Sequence, residues 1–291
     1  MDPQELIKQA EKKVSSSGGL FSRMLGSSSF QLEDAADLYM QAGNAYRLKK
    51  DSLQAGKAFE KAADLQKKSE AKDEAANTLV EAYKAYRTSE FADAARTLNE
   101  AIHMFTLRGQ FRRAAQYQMD LAQLYETELN DGKAALQAYQ SAGDWFNEDR
   151  AEALSCKAYI KYAELSGLEG EYHQAIEAFE KVAKLSMNSN LSKWSLKDYF
   201  FKAVFCALAL QDAVAAQMQL DKYISWDSSF EATKEYEYLS AFVSAARDGD
   251  EQTFTDKLYE YDKFAKLDNW KTTIGLRIKQ GMDVPEDDLL L

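Results

Sequence analysis

The chain repeats one pattern of small and large apolar residues at a spacing of about 40 residues. Segment 35–47 reads AADLYMQAGNAYR and segment 75–87 reads AANTLVEAYKAYR, so Ala, Tyr and Arg recur in register. A third copy, AAQYQMDLAQLYE, occupies 114–126. Alanines three or four residues apart share one face of a helix and let neighbouring helices approach closely. The pattern therefore predicts amphipathic helices that recur along the chain.

A second pattern with the same spacing lies between these copies. It places a small residue before an aromatic residue or leucine, in segments 55–62, 94–101, 135–142 and 175–182. Two interleaved helical patterns with one period are typical of stacked helix pairs, in which each pair buries its apolar face against the next. We therefore predict an all-α fold, a right-handed TPR-like α-solenoid of helical hairpins. An alanine-rich four-helix bundle is the alternative, but a bundle would not need a fixed period.

Polar and glycine-bearing stretches separate the predicted helices. No proline occurs between residues 4 and 284 to break a helix. We expect turns near 68–73, 88–90, 107–111, 130–132, 147–150 and 167–172. The repeat register predicts a hairpin array over 34–190. Residues 191–281 keep a helical pattern without that register, which predicts a compact helical bundle that caps the array.

The amino-terminal segment 1–33 changes composition abruptly. A first helix is predicted over Glu5–Val14, and the segment 15–30 that follows is rich in Ser and Gly, which predicts a flexible loop. Four large apolar residues lie inside this loop: Leu20, Phe21, Met24 and Leu25. They either pack back on the first helices or insert into a bilayer, and the pattern alone favours packing.

The carboxy-terminal segment 282–291 reads MDVPEDDLLL and combines acidic residues with three leucines. Chain ends usually carry little that is apolar. Either this tail docks into a basic, partly apolar pocket of a partner, or it packs back on the helical bundle.

Composition restricts the possible partners. A net charge of −11 argues against nucleic acid, because phosphate binding needs a dominant basic surface. Cys156 and Cys206 are far apart within helical patterns and are interpreted as buried thiols of a reducing compartment. The longest apolar run, Tyr199–Leu210, carries Lys202 and is too short to cross a membrane, and no signal peptide is recognisable. We therefore expect a soluble, cytoplasmic protein.

Residues that carry chemistry are sparse. His103 and His173 lie far apart, and neither has Cys or carboxylate neighbours at the spacing of metal ligands. The sequence holds no phosphate-binding loop and no nucleophile elbow. We therefore expect no metal, no cofactor and no enzymatic activity.

Charge placement is more informative. Lys157 and Lys161 are four residues apart on one predicted helix, as are Lys193 and Lys197, and like charges at this spacing destabilise a helix by about 0.2–0.5 kcal/mol. Arg113 lies at the positive end of another helix, where an acid is preferred. The pattern favours plain solvated surface. The alternative is a basic strip on the first helices of the hairpins, which would suit a long acidic rod.

Four segments of the chain resemble one known family. They are FTLRGQFRRAA at 105–115, LSKWSLKDYFFKA at 191–203, LDNWKTTIGLRIK at 267–279 and the closing EDDLLL. These segments, in this order, strongly resemble the alpha-SNAP family, the soluble NSF attachment proteins. The likeness runs from the first helix to the last residue, and it implies the helical array described above.

The resemblance implies a non-enzymatic adaptor in vesicle fusion. Such a protein binds the four-helix SNARE bundle of syntaxin-, synaptobrevin- and SNAP-25-type helices, with several copies around one bundle. It then recruits and stimulates the NSF-type AAA+ ATPase that disassembles the bundle. The expected location is cytoplasmic, and peripheral on vesicle, Golgi, ER, vacuole or plasma membranes.

The resemblance also implies roles for individual residues. Lys157, Lys161 and Lys197 match SNARE-binding positions, and Arg113 and Lys193 are added by proximity and charge; Gln116 replaces a lysine of some relatives. The loop residues Leu20, Phe21, Met24 and Leu25 match a membrane-contacting loop, which now favours insertion over packing. The NSF-contacting set comprises Leu290, the penultimate leucine, together with Leu289, Asp212, Asp248 and Glu251.

A TPR-type peptide-binding co-chaperone scaffold is the alternative function. Against it, the period is near 40 instead of about 34 residues, and the proline that closes each TPR repeat is absent.

Overall fold

The computed structural model describes residues 2–17, 27–187 and 193–282. These residues form fourteen α-helices and three short 3-10 turns, and no strand occurs among them. The chain divides into two compact units, Met1–Asp149 and Arg150–Leu291.

The first unit contains seven of the described α-helices, each packed on the next along the chain. They are α1 (Pro3–Ser17), α2 (Ser27–Leu48), α3 (Ser52–Lys68), α4 (Ala75–Tyr86), α5 (Phe91–Leu107), α6 (Phe111–Thr127) and α7 (Gly132–Glu148). A 3-10 turn, Glu70–Asp73, connects α3 to α4.

The repeated alanines of this unit are buried where neighbouring helices pack together. Ala35, Ala75 and Ala114 are each fully buried. Gly56 lets the Tyr86 ring pack directly against the helix backbone, because a Cβ at this position would lie 2.3 Å from that ring. Large aromatic side chains fill the remaining space, with Phe59 and Phe105 almost wholly buried. Small residues for close approach and aromatic residues for buried area thus produce a stack of helical hairpins.

The second unit contains the other seven described α-helices. They are α8 (Glu152–Leu168), α9 (Tyr172–Met187), α10 (Leu196–Ala209), α11 (Ala213–Trp226), α12 (Lys234–Asp248), α13 (Glu251–Phe264) and α14 (Asn269–Met282). Short 3-10 turns, Lys193–Ser195 and Ser228–Ala232, precede α10 and α12.

Helix α10 forms the centre of the second unit. Every residue from Phe200 to Leu208 is buried, so this helix has no solvent-facing side over that length. Its rings pack against other helices: Phe200 stacks on Tyr223 at 4.5 Å and Phe201 on Tyr261 at 4.8 Å between ring centroids. Apart from Lys202, this stretch is apolar on every side, as expected of a helix surrounded by partners, and this explains why the sequence loses the hairpin register here.

One turn design recurs between helices of both units. A residue with left-handed backbone, φ between 51° and 68°, is followed by an aspartate whose carboxylate caps the next helix. The pairs are Lys50–Asp51, Asn130–Asp131, Gln211–Asp212 and Gly249–Asp250. Each carboxylate accepts a hydrogen bond from the backbone N–H three residues on, at 2.8–3.1 Å. Such caps satisfy the free donors at helix starts.

The described residues confirm the predicted all-α fold of helical hairpins and most of its turns. Helices extend further than predicted at two places. Helix α1 continues to Ser17 and α2 begins at Ser27, so that both enter the segment expected to be a loop. Gly167 lies inside α8 and not in the turn that follows, and its lack of a side chain leaves room for the Trp270 indole. No helix within the described ranges is long and apolar enough to span a bilayer.

Candidate binding surface

Helix α8 presents two exposed ammonium groups. Lys157 and Lys161 lie one turn apart and are both exposed. Neither forms an ion pair or a hydrogen bond with any residue that the structure describes. These two ammonium groups are therefore available to an acidic partner, within a chain whose total charge is negative.

A groove of about 390 Å³ lies beside these lysines. It is bounded by the first part of α8, the end of α9 and the start of α10. Ile160, Leu185 and Tyr199 supply apolar surface, the two lysines lie at its rim, and Glu152 also lines it. Cys156 also lines it, and burial raises the pKa of that thiol, so it stays protonated at neutral pH. We name this set of residues, with its two lysines, the basic groove.

Buried ion pairs join α8 to α10 and α14 just beyond the basic groove. The Lys202 ammonium lies 2.8 Å from Glu164 and 3.1 Å from Asp198. Lys271 lies 2.6 Å from the same Asp198. The two lysine side chains are only 7% and 9% exposed. Because each ammonium has a close carboxylate, charges that would be costly alone are compensated.

These contacts shift the pKa values of Asp198 and Lys202. Burial by itself would raise the pKa of Asp198, but the Lys202 and Lys271 ammonium groups hold that pKa below its ordinary value. Burial would likewise lower the pKa of Lys202, and Asp198 and Glu164 reverse this, so that it is raised. Asp198 and Lys202 are therefore both ionised at neutral pH.

Helix α14 also satisfies the carboxyl end of α8. The Trp270 indole donates to the Glu164 carbonyl at 2.8 Å. The Arg277 guanidinium donates to the Gly167 and Leu168 carbonyls at 3.0 and 2.7 Å. Carbonyls at a helix end otherwise lack partners, so α14 fixes the end of the helix that carries Lys157 and Lys161.

Lys197 and Lys193 are placed differently from the α8 pair. The Lys197 ammonium forms an ion pair of 2.7 Å with Glu235 and lines a separate groove of about 180 Å³ beside the exposed Trp194. Lys193 begins the 3-10 turn before α10, and its side chain lies outside the described part of the structure. The binding role of both remains a prediction.

Arg113 belongs to the first unit. It lies in the first turn of α6, its guanidinium lies 4.4 Å from the centroid of the Phe105 ring, and it donates a hydrogen bond to Asn77. The side chain is exposed but held in place, and its contact with a partner remains a prediction.

The predicted acidic residues lie at two turns of the second unit. Asp212 caps α11, with its carboxylate 2.8 Å from the Ala215 N–H. Asp248 ends α12 and is exposed, and Glu251 begins α13, where it pairs with Lys279 of α14 at 2.6 Å. Asp248 and Glu251 therefore flank one turn, while Asp212 lies at another.

Six predicted residues fall outside the described ranges. They are Leu20, Phe21, Met24, Leu25, Leu289 and Leu290.

Of the residues that line the basic groove, only Lys157 and Lys161 were predicted from the sequence as binding residues. Ile160 lies between the two lysines on the same helical face, and its position three residues after Lys157 was an available signal. Leu185 comes from another helix, and the sequence contains no signal for its position. Among the described residues, no group of three or more His, Cys, Asp or Glu could hold a metal ion.

The fold defines a helical-hairpin repeat protein, and two exposed lysines line its basic groove. The family model described as "Soluble NSF attachment protein, SNAP" matches residues 1–283, and the chain belongs to this family. It is 47% identical over 294 residues to the vesicular-fusion protein SEC17 of Komagataella phaffii, covering 99% of both chains.

Two further relatives show the extent of the likeness. The alpha-soluble NSF attachment protein of Saccharomyces cerevisiae is 44% identical, with 99% of each chain covered. That of Homo sapiens is 33% identical, covering 98% of this chain and 96% of the relative. The similarity extends over both compact units.

Proposed function

We propose that the protein is a non-enzymatic adaptor that binds the assembled SNARE four-helix bundle and recruits and stimulates an NSF-type AAA+ ATPase for its disassembly. Family membership supports the attachment role, and the names of the relatives refer to vesicular fusion and to NSF. The observation that carries the proposal is the pair of free ammonium groups, Lys157 and Lys161, at the rim of the basic groove.

Electrostatics explains why a chain of charge −11 would bind an acidic rod. Charges are screened over about 8 Å at physiological salt, so the local surface outweighs the total charge. Each exposed ion pair contributes only about 0–1 kcal/mol. Affinity therefore requires several contacts in each copy, with Lys197, Lys193 and Arg113 as further candidates, and several copies on one bundle.

The other predicted residues are assigned to the ATPase and the membrane. The tail leucines Leu289 and Leu290, with Asp212, Asp248 and Glu251, would contact the ATPase. Leu20, Phe21, Met24 and Leu25 would insert into the membrane that anchors the bundle, since burial of one large apolar side chain gives about 1.5–3 kcal/mol. The protein would act in the cytoplasm, at membranes that carry SNAREs.

Co-sedimentation tests the proposal. The chain is mixed with a soluble SNARE bundle, with and without NSF, and with chaperone tail peptides as the comparison ligand. We expect the bundle to sediment with the chain, NSF to join only when both are present, and ATP hydrolysis to release the helices. Binding to the peptides but not to the bundle would favour the co-chaperone alternative.

A further inference from the structure

A second groove, of about 120 Å³, lies in the first unit between α4 and α6. Unlike the basic groove, it is polar. It is lined by Tyr83, Arg87, Asp120, Gln123, Leu124, Thr127 and Glu128. Both helices belong to the first of the two repeated sequence patterns.

Asp120 is the distinctive residue of this groove. Its carboxylate accepts no hydrogen bond and forms no ion pair with any described residue. Burial raises the pKa of Asp120, and the nearby Arg87 only partly offsets this. Arg87 lies over the Tyr83 ring, 5.8 Å from its centroid. A half-buried carboxylate with so little compensation is stabilised by an additional cation.

The hairpin register relates Asp120 to the basic groove. Asp120 is the tenth residue of α6, and Lys161 is the tenth residue of α8. Burial confirms the register: Ala122 and Ala163 are both 0% exposed, and Leu124 and Leu165 are both 6% exposed. The same position of the two hairpins therefore carries opposite charges.

We infer that the groove between α4 and α6 binds a cationic side chain, Lys or Arg, of the helical partner. Asp120 would pair with the cation, and Glu128 would lie at the mouth of the groove, where its carboxylate accepts from Thr127. The inference rests on the proposed function and adds selectivity to it. A partner must offer a basic side chain to the first unit as well as acids to Lys157 and Lys161.

Attraction by the total charge and binding of a cation in the groove predict opposite effects when Asp120 is mutated. If an acidic rod is held only by the sum of charges, removing the Asp120 charge reduces repulsion and tightens binding. If the groove binds a cation, the same change weakens binding. Mutation of Arg87 gives the reverse expectation. The positive charge of Arg87 repels a cation in the groove but attracts an acidic rod, so its removal strengthens binding only if the groove binds a cation.

The test measures binding of a fluorescently labelled soluble SNARE bundle to the full chain at 150 mM salt. We expect Asp120→Asn to weaken binding by about tenfold, the usual effect of losing one charged hydrogen bond, and Arg87→Gln to tighten it about twofold. Thermal melting confirms that each variant is folded. Lys157→Glu with Lys161→Glu is measured alongside as the control for the proposed function.

The outcomes distinguish failure of the cation groove from failure of the proposed function. Weaker binding by the folded Asp120→Asn chain together with tighter binding by Arg87→Gln supports the cation groove. Unchanged or tighter binding by Asp120→Asn overturns it and leaves the proposed function intact. A wild-type chain that does not bind the bundle overturns both.

Discussion

The buried charges behind the basic groove permit a quantitative test. We predict that Asp198→Asn destabilises the second unit although it preserves the shape of the side chain. Asp198 is the carboxylate shared by Lys202 and Lys271. After the change Lys202 keeps Glu164 at 2.8 Å, but the nearest remaining carboxylate to Lys271 in the described structure is Asp268 at 3.9 Å.

The magnitude follows from these geometries. Removal of one partner from a buried ion pair costs about 3–5 kcal/mol. The Asp198 side chain is 40% exposed, so water compensates part of this. We therefore expect a loss of about 2–3 kcal/mol in the free energy of unfolding. Adding Lys271→Met to Asp198→Asn should recover at least about 1 kcal/mol of the lost free energy of unfolding, because it removes the uncompensated charge. The effects of the two mutations are therefore not additive.

Urea unfolding followed by circular dichroism and tryptophan fluorescence measures these differences. The matched control is Glu237→Gln, which removes an exposed carboxylate paired with Lys234 at 2.6 Å. It should change stability by less than about 0.5 kcal/mol, as surface pairs usually do.

The pH dependence provides a further check. The pKa of Asp198 is lowered from an ordinary value of 3.8. The stability that the ionised carboxylate contributes is therefore complete above that pH and is lost as the pH falls through the lowered pKa. The deficit of Asp198→Asn should therefore be constant from pH 5 to 8. A deficit equal to that of the control, or a double variant less stable than Asp198→Asn, would refute the reasoning.

Three further predictions concern other regions. Leu20→Ser with Phe21→Ser should slow disassembly of liposome-anchored SNARE bundles far more than that of soluble bundles, and equal effects would remove the membrane role of this segment. Deletion of Leu289–Leu291 should preserve bundle binding while lowering stimulation of the ATPase; loss of binding would contradict the division of roles. Gly167→Ala places a Cβ 2.8 Å from the Trp270 ring, so despite better helix propensity it should cost about 1 kcal/mol of stability, and a raised melting temperature would count against this packing.

The hairpin array was predictable because small residues at a fixed spacing are a local signal. Ala35, Ala75 and Ala114 occupy buried positions that any helical register would assign to the interior. The second unit was harder to predict, since Phe201 and Phe205 pack against residues far along the chain, on α12 and α13. Such pairs leave no periodic signal in the sequence.

The candidate site was predictable in part for the same reason. Lys157 and Lys161 were placed together by helical spacing alone. The sequence did not indicate that Lys197 pairs with Glu235, 38 residues further on, because that contact depends on how α10 and α12 pack. Lys202 was read from sequence only as a charge that interrupts an apolar run, whereas packing makes it the centre of an ion-pair network.

The central claim is that Lys157 and Lys161 bind an acidic helical bundle. Its most direct test compares the dissociation constants of two double variants for a soluble SNARE bundle. Lys157→Glu with Lys161→Glu reverses the proposed contacts, and Lys8→Glu with Lys12→Glu makes the same change of charge at two exposed lysines of α1, also four residues apart. We predict that the first variant weakens binding by at least about tenfold, since each contact turns from attraction into repulsion, and that the second changes it by less than about threefold. Equal effects, or unchanged binding by the first variant, would contradict the account.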